Sequence, residues 1–128
     1  NTDGKTLSAR VIGCAMTVSN TLGAGFLESV SSHALAVELT FRLEFTRAKP
    51  LDVRYKKNKV GAYYADFVVE GKLIVELKAL SGLAPEHKAQ VMNYLRASKL
   101  TVGLLLNFGT ARLGVQRAVL HHNDSQGI

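Results

Sequence analysis

Two helical stripes open the chain. Leu7, Val11, Ala15 and Val18 recur at the three- and four-residue spacing of one helix face, which predicts a helix from Leu7 to about Asn20. Leu22-Gly23-Ala24-Gly25 interrupts that period. Leu27, Val30, Ala34, Val37 and Phe41 form a second stripe, expected to be the buried face of a second helix with Gly25 as N-cap and Glu28 at its third position. From Phe45 the texture changes. Phe45 to Arg47, Leu51 to Tyr55, Ala62 to Val69 and Leu73 to Ala79 are short runs rich in β-branched and aromatic residues, and they predict strands. Lys49-Pro50, Lys57-Asn58-Lys59 and Glu70-Gly71 separate them as turns. Pro85 suits the first turn of a third helix running to about Ser98, because a first-turn residue needs no N–H partner. Val102 to Leu106 is expected as a buried strand, Arg112 to Leu120 as a short element of undecided type, and 121–128 as a frayed tail.

Consecutive hairpins imply antiparallel strands, and a helix between strands implies one parallel crossover. The expected fold is therefore α/β in the broad sense (α+β), a mixed sheet flanked by helices, in one domain over residues 1–128 with its core at about 7–120. Hydrophobic residues make up 47% and charged residues 20%, which excludes intrinsic disorder and coiled coil. The longest uncharged apolar run, from Leu100 to Gly109, is too short for a bilayer, so no membrane association is expected. Cys14 has no partner for an internal disulfide and is most simply a core residue of the first helix; a reducing, cytoplasmic setting follows as an expectation.

Charge adds a direction. There are 16 Lys and Arg against 10 Asp and Glu, a formal excess of +6. Arg47, Lys49, Arg54, Lys56, Lys57 and Lys59 crowd into one stretch that holds the single acid Asp52. Such an edge suits phosphates, although on this stretch alone a solvated lysine turn on an exposed hairpin is the favoured reading. Arg54, Lys56, Lys57 and Lys59, together with Tyr94 further along the chain, are the candidate substrate-binding residues.

Tyr64-Ala65-Asp66 and Val75-Glu76-Leu77-Lys78 hold the candidate chemistry. Strand alternation sends Glu76 and Lys78 to one face and Val75 and Leu77 to the other. A two-residue turn at Glu70-Gly71 would put Asp66 on the opposite face. A three-residue loop, Val69-Glu70-Gly71, would place it opposite Ile74, diagonal to Glu76 and on its face. An odd loop is expected, because Glu is a poor opening residue for a type I′ turn. Two carboxylates held together repel unless a cation bridges them, and oxygen ligands suit Mg²⁺, with Mn²⁺ as a substitute. A solvent-facing salt-bridge ladder would use the same residues. On the third helix, His87, Gln90 and Tyr94 share a flank, with Gln90 able to bond water or phosphate and Tyr94 able to fix the helix against the sheet.

Asp66 followed by Glu76-Leu77-Lys78 resembles the Asp…(Asp/Glu)-x-Lys signature of the PD-(D/E)XK nuclease superfamily, and Gln90 to Tyr94 resembles the Gln-x-x-x-Tyr helix of its RecB-like branch. Leu22 to Ser29, Tyr64 to Asp66, Ile74 to Ala79 and Gly103 to Phe108 are similar to the small GxxExxY proteins of that superfamily, over about residues 7 to 120. The sequence departs from that pattern where Ser31 stands in place of an aromatic and Ser32 in place of a residue that is often acidic. The resemblance implies a restriction-endonuclease-like αβββαβ core and divalent-metal hydrolysis of phosphodiesters. It implies Asp66 and Glu76 as metal ligands, Lys78 as the water-orienting residue, Glu28 and Gln90 as accessory members of the site and Tyr94 as support; Glu28, beside the other carboxylates, is the candidate for a further metal or water ligand. The expected partner is nucleic acid, DNA ahead of RNA, with a second copy of the chain as a further candidate. The alternative is an inactive module that keeps the fold and binds nucleic acid or protein.

Overall fold

The computed structural model describes residues 4–121, so the expected tail beyond His121 lies outside the described residues. The elements run α1 (Gly4–Leu22), α2 (Glu28–Thr40), β1 (Phe45–Tyr55), β2 (Asn58–Val69), β3 (Leu73–Lys78), α3 (Pro85–Ser98), β4 (Val102–Asn107) and β5 (Gly114–Val119). The strands form one sheet in sequence order, β1-β2-β3-β4-β5. Only β3 and β4 pair in parallel, and α3 is the crossover between them. Among the described residues the result is a mixed five-stranded sheet with three helices, of the α+β class and consistent with the restriction-endonuclease-like fold. The element left undecided by the sequence, near Arg112 to Leu120, is the strand β5, antiparallel to β4.

Each face of the sheet buries its own core. On one, Phe67, Val69, Val75, Leu77, Leu104 and Leu106 meet α1 and α2. On the other, Leu51, Val68, Ile74 and Leu105 meet Val91, Tyr94 and Leu95 of α3. The α1 stripe Leu7, Val11, Ala15 and Val18 is buried as its period predicts, and Cys14 is a buried core residue beside it. Gly103 lets α3 come close: a Cβ there would stand 2.6 Å from Val91 Cγ1.

The buried face of α2 differs from the expected one. Ser31, Leu35 and Leu39 are buried, whereas Leu27 and Phe41 are 74% and 82% exposed. The helix has two apolar stripes, and the sheet and α1 take the one that offers Leu35 and Leu39. Ser31 thus fills a buried position where the family pattern has an aromatic, and Ser32 Oγ accepts a hydrogen bond of 2.8 Å from Arg47. The helix also starts later than expected, with Leu27 as N-cap and Glu28 as its first residue. Gly23 and Gly25 remain outside it, at φ 74° and 103°, where the chain turns.

Lys49-Pro50 does not break the first strand. β1 is continuous because it lies at the sheet edge, where a residue without an N–H is tolerated. At this point the strands change their facing. Phe67 and Val69 face α1 and α2, yet Ala65, two residues earlier, belongs to the α3 core, and so does Leu51 on the partner strand. Ala48 stands at φ 52° in this segment, between the paired positions Arg47↔Phe67 and Lys49↔Ala65. Asp66 sits at the kink.

Beyond β3 the chain is pinned by Asn107. Its side chain donates to Leu80 O at 3.0 Å and accepts from Leu80 N at 2.9 Å and Gly109 N at 3.1 Å, while Phe108 N donates to Lys78 O at 2.8 Å. Asn107 is buried, so Asn107→Leu would strand these groups; a loss of about 2–4 kcal/mol is expected in denaturant unfolding.

Candidate active site

The β2–β3 connection fixes what meets what. The register is Phe67↔Val75, Val68↔Ile74 and Val69↔Leu73, so the loop has odd length, as expected, but it is Glu70-Gly71-Lys72. This register puts Asp66 opposite Glu76 rather than Ile74, and the two-residue difference keeps both on one face. Glu70 does adopt a left-handed φ of 55°. Two bonds to one residue hold it there: Glu70 N donates to Glu44 O, and Glu44 N donates to Glu70 Oε2, both at 2.8 Å.

The ladder between β2 and β3 ends at Phe67 and Val75, and beyond it the two carboxylates take over the backbone donors. Asp66 N donates to Glu76 Oε2 at 2.6 Å, and Leu77 N donates to Asp66 Oδ2 at 2.9 Å. Each acidic side chain is thus fastened to the strand of the other. Glu76 is 4% exposed and Asp66 is partly buried.

Burial raises both carboxyl groups above their ordinary range. Glu76 is pushed up to about 8, by desolvation first and then by the Asp66 charge; the Asp66 N–H and the Lys78 ammonium oppose the rise. Asp66 is raised by desolvation, against the Leu77 N–H and the charges of Lys78 and Arg47. Glu28, exposed at the first turn of α2, is raised by desolvation and by Asp66, with Lys78 opposing. From the opposite layer comes Tyr94, buried on α3, whose hydroxyl is raised to about 12 by desolvation and then by Glu76 and Asp66.

The structure therefore brings Asp66, Glu76, Lys78, Glu28 and Tyr94 into one electrostatic neighbourhood. It does not close the expected acidic trio. Among the described residues, no three His, Cys, Asp or Glu side chains are arranged to hold a metal ion. Glu28 is the first residue of α2, whereas Asp66 and Glu76 come from adjacent strands. Gln90 is half-buried, one helical turn before Tyr94. His87 has a structural task, accepting from Ala84 N at 2.9 Å to cap α3.

The basic residues are placed elsewhere. Lys56 and Lys57 form the β1–β2 turn, at φ 50° and 70°. Arg54 and Lys59 pair with Asp52 at 3.5 and 3.4 Å. This hairpin tip lies about 26 Å along β2 from Asp66, at about 3.3 Å per residue. Arg47 is the basic residue the sequence reading passed over: it stands 5.2 Å from the Phe67 ring centroid, bonds Ser32 and acts on Asp66. Its place in the basic run was visible; its partner on α2 was not.

A sequence model of the PD-(D/E)XK nuclease superfamily matches residues 5–118, nearly the whole chain. This chain belongs to the PD-(D/E)XK nuclease superfamily. Asp66 lies opposite Glu76 across β2 and β3, with Lys78 two residues further along β3. A solved structure titled as the crystal structure of SSO0001 is similar in fold, with a TM-score of 0.56 at 16% identity. The match covers 75% of this chain and 52% of that one, so the chain spans about half the length of that structure. Among curated proteins, no relative matches the sequence. Nuclease chemistry on nucleic acid, with divalent metals, is general to that superfamily. No helix among the described residues is long and apolar enough to cross a membrane.

The Glu76 shift has a consequence for stability. Without a divalent cation, folded Glu76 keeps its proton up to about pH 8, while the unfolded chain releases it near 4.5. Between those values the unfolded state binds fewer protons, so stability falls as pH rises. Glu76→Gln removes this slope. In EDTA, its melting temperature is expected above that of the parent at pH 9, with the gap closing by pH 5; parallel profiles would contradict the assignment.

Proposed function

We propose that this chain is a metal-dependent nuclease of the GxxExxY group within the RecB-like branch, cleaving phosphodiester bonds of DNA with Mg²⁺, and Mn²⁺ as a substitute. The observation that supports it best is the reciprocal fastening of Asp66 and Glu76 to each other's strands. It holds two hard oxygen donors side by side, where burial and mutual repulsion disfavour the paired negative charge. That donor chemistry fits a divalent cation, which relieves both costs. Asp66 and Glu76, each with one carboxylate oxygen in an interstrand bond, would hold it. When bound, the cation supplies Lewis-acid stabilisation of phosphate charge and a more acidic water.

The chain's own residues complete the arrangement. Lys78 presents an ammonium whose charge acts on Asp66, Glu76 and Glu28, suited to orienting the attacking water and balancing the phosphate. Its strand end is fixed through Phe108 and Asn107. Glu28, exposed and just outside the pair, takes a proton or holds a water rather than binding the cation directly. Tyr94 remains protonated at any working pH and shields the α3 side. Gln90 is the accessory that bonds water or phosphate. Lys56, Lys57, Lys59 and Arg54, at ~26 Å, reach a long polymer rather than the bond being cut.

The test is direct. Purified protein is incubated with single- and double-stranded DNA and RNA in Mg²⁺ or Mn²⁺, with EDTA as control. Cleavage of DNA that EDTA stops and Asp66→Asn abolishes is expected. Salt-sensitive binding without turnover in either metal would instead favour a binding module.

A further inference from the structure

A groove lies between the edge of β1 and the C-terminal half of α3, with a volume of about 910 Å³. Its walls are basic. Lys49 and Arg54 come from β1, Arg96 and Lys99 from the end of α3, and all four are exposed. The one carboxylate lining it, Asp52, is already paired with Arg54 and Lys59. Lys49, Arg96 and Lys99 enter no salt bridge among the described residues. Arg96 Nη1 donates to Asn93 Oδ1 at 2.9 Å, which restrains the guanidinium in place.

Tyr63 also lines the groove, and its ring centroid is 5.5 Å from that of Tyr94. Tyr94, buried on α3, lies within electrostatic reach of Glu76 and Asp66. The two rings therefore link the groove to the carboxylates. A basic groove with an aromatic platform is the form that tracks one nucleic-acid strand, phosphates on the cations and a base on the ring. The volume is that of a small-molecule cavity, enough for a few nucleotides of one strand and far short of a duplex turn.

We infer that this groove is a subsite for a single nucleic-acid strand continuous with the scissile site, with Lys49, Arg54, Arg96 and Lys99 on the phosphates and Tyr63 against a base. It rests on the nuclease reading for the polymer it carries, and extends that reading by assigning a path that the superfamily signature does not contain.

The experiment is fluorescence-anisotropy titration in EDTA with labelled dT20 and rU20, over a range of salt concentrations. Arg96→Gln with Lys99→Gln is compared with Arg112→Gln with Arg117→Gln, which removes the same charge from the β5 side. All four residues are exposed, so thermal melts should match the parent. The groove pair is expected to weaken binding of at least one oligonucleotide about tenfold or more. It should also lower the slope of log affinity against log salt by about 1.4, while the β5 pair stays within about threefold of the parent. Equal loss in both pairs, or no binding by the parent, overturns the inference. Polyglutamate displacing the oligonucleotide at lower charge concentration also overturns it, in favour of an acidic protein partner. Cleavage of a labelled tetranucleotide in Mn²⁺ separates this outcome from the parent reading. Groove-dependent binding without any cleavage leaves the subsite standing and removes the nuclease, and cleavage with groove-independent binding does the reverse.

Discussion

Lys78→Ala is expected to lower the rate of metal-dependent DNA cleavage by about a hundredfold to ten-thousandfold, with divalent binding retained. Lys78 is half-buried at the end of β3, where its charge acts on all three nearby carboxylates. Removing it leaves Asp66 and Glu76 fastened through the Asp66 and Leu77 N–H groups, so the cation site persists. Glu76→Ala should behave differently, losing cleavage and divalent affinity together. Single-turnover rates and calorimetric titration on the same preparations distinguish the two. A Lys78→Ala protein that cleaves within about threefold of the parent would remove the ammonium from the mechanism.

Gly109→Val is expected to prevent stable folding, with a loss on the order of 4 kcal/mol or more. A Cβ at position 109 would run into the backbone of Ala79 and Leu80, neither of which can rotate aside. The same backbone is held by the Asn107 side chain, so relief by moving the loop would break those bonds. Chemical denaturation followed by circular dichroism checks it. Near-parental stability would mean that the 79–80 segment is far looser than its hydrogen bonds imply. This contact also matters to function, since the segment follows Lys78 directly.

The parts of the fold that depend on local period were legible. The α1 stripe, the Pro85 helix and the alternation of Val75-Glu76-Leu77-Lys78 all lie where their spacing puts them. Where two patterns competed, the sequence alone could not choose. The α2 helix carries one stripe through Leu27, Val37 and Phe41 and another through Leu35 and Leu39, and only the packing of α1 and the sheet selects the second. The parity of the Asp66–Glu76 face followed from loop length, but the register did not. Glu70 at φ 55° depends on bonds to Glu44, which is 26 positions away. The kink at Ala48 and Asp66 was likewise invisible, because it is a change of facing shared by two strands.

The candidate site divides along the same line. Asp66, Glu76 and Lys78 could be found from signature and alternation, since two adjacent strands carry them. The place of Glu28 depends on where α2 begins, which is two residues later than the sequence suggests, and among the described residues no acidic trio forms. Arg47 was missed because its role rests on contacts across layers, with Ser32 and Phe67. The positions of Ser31 and Ser32, which depart from the family pattern, acquire meaning only there: one is buried small, the other holds Arg47.

The most direct measurement is calorimetric titration of the metal-free protein with Mn²⁺ and Mg²⁺ at neutral pH. One divalent site is expected, releasing a proton as Glu76 ionises, and lost in both Asp66→Asn and Glu76→Gln. Absence of binding to the folded parent, or binding that survives both substitutions, would contradict a cation held between β2 and β3.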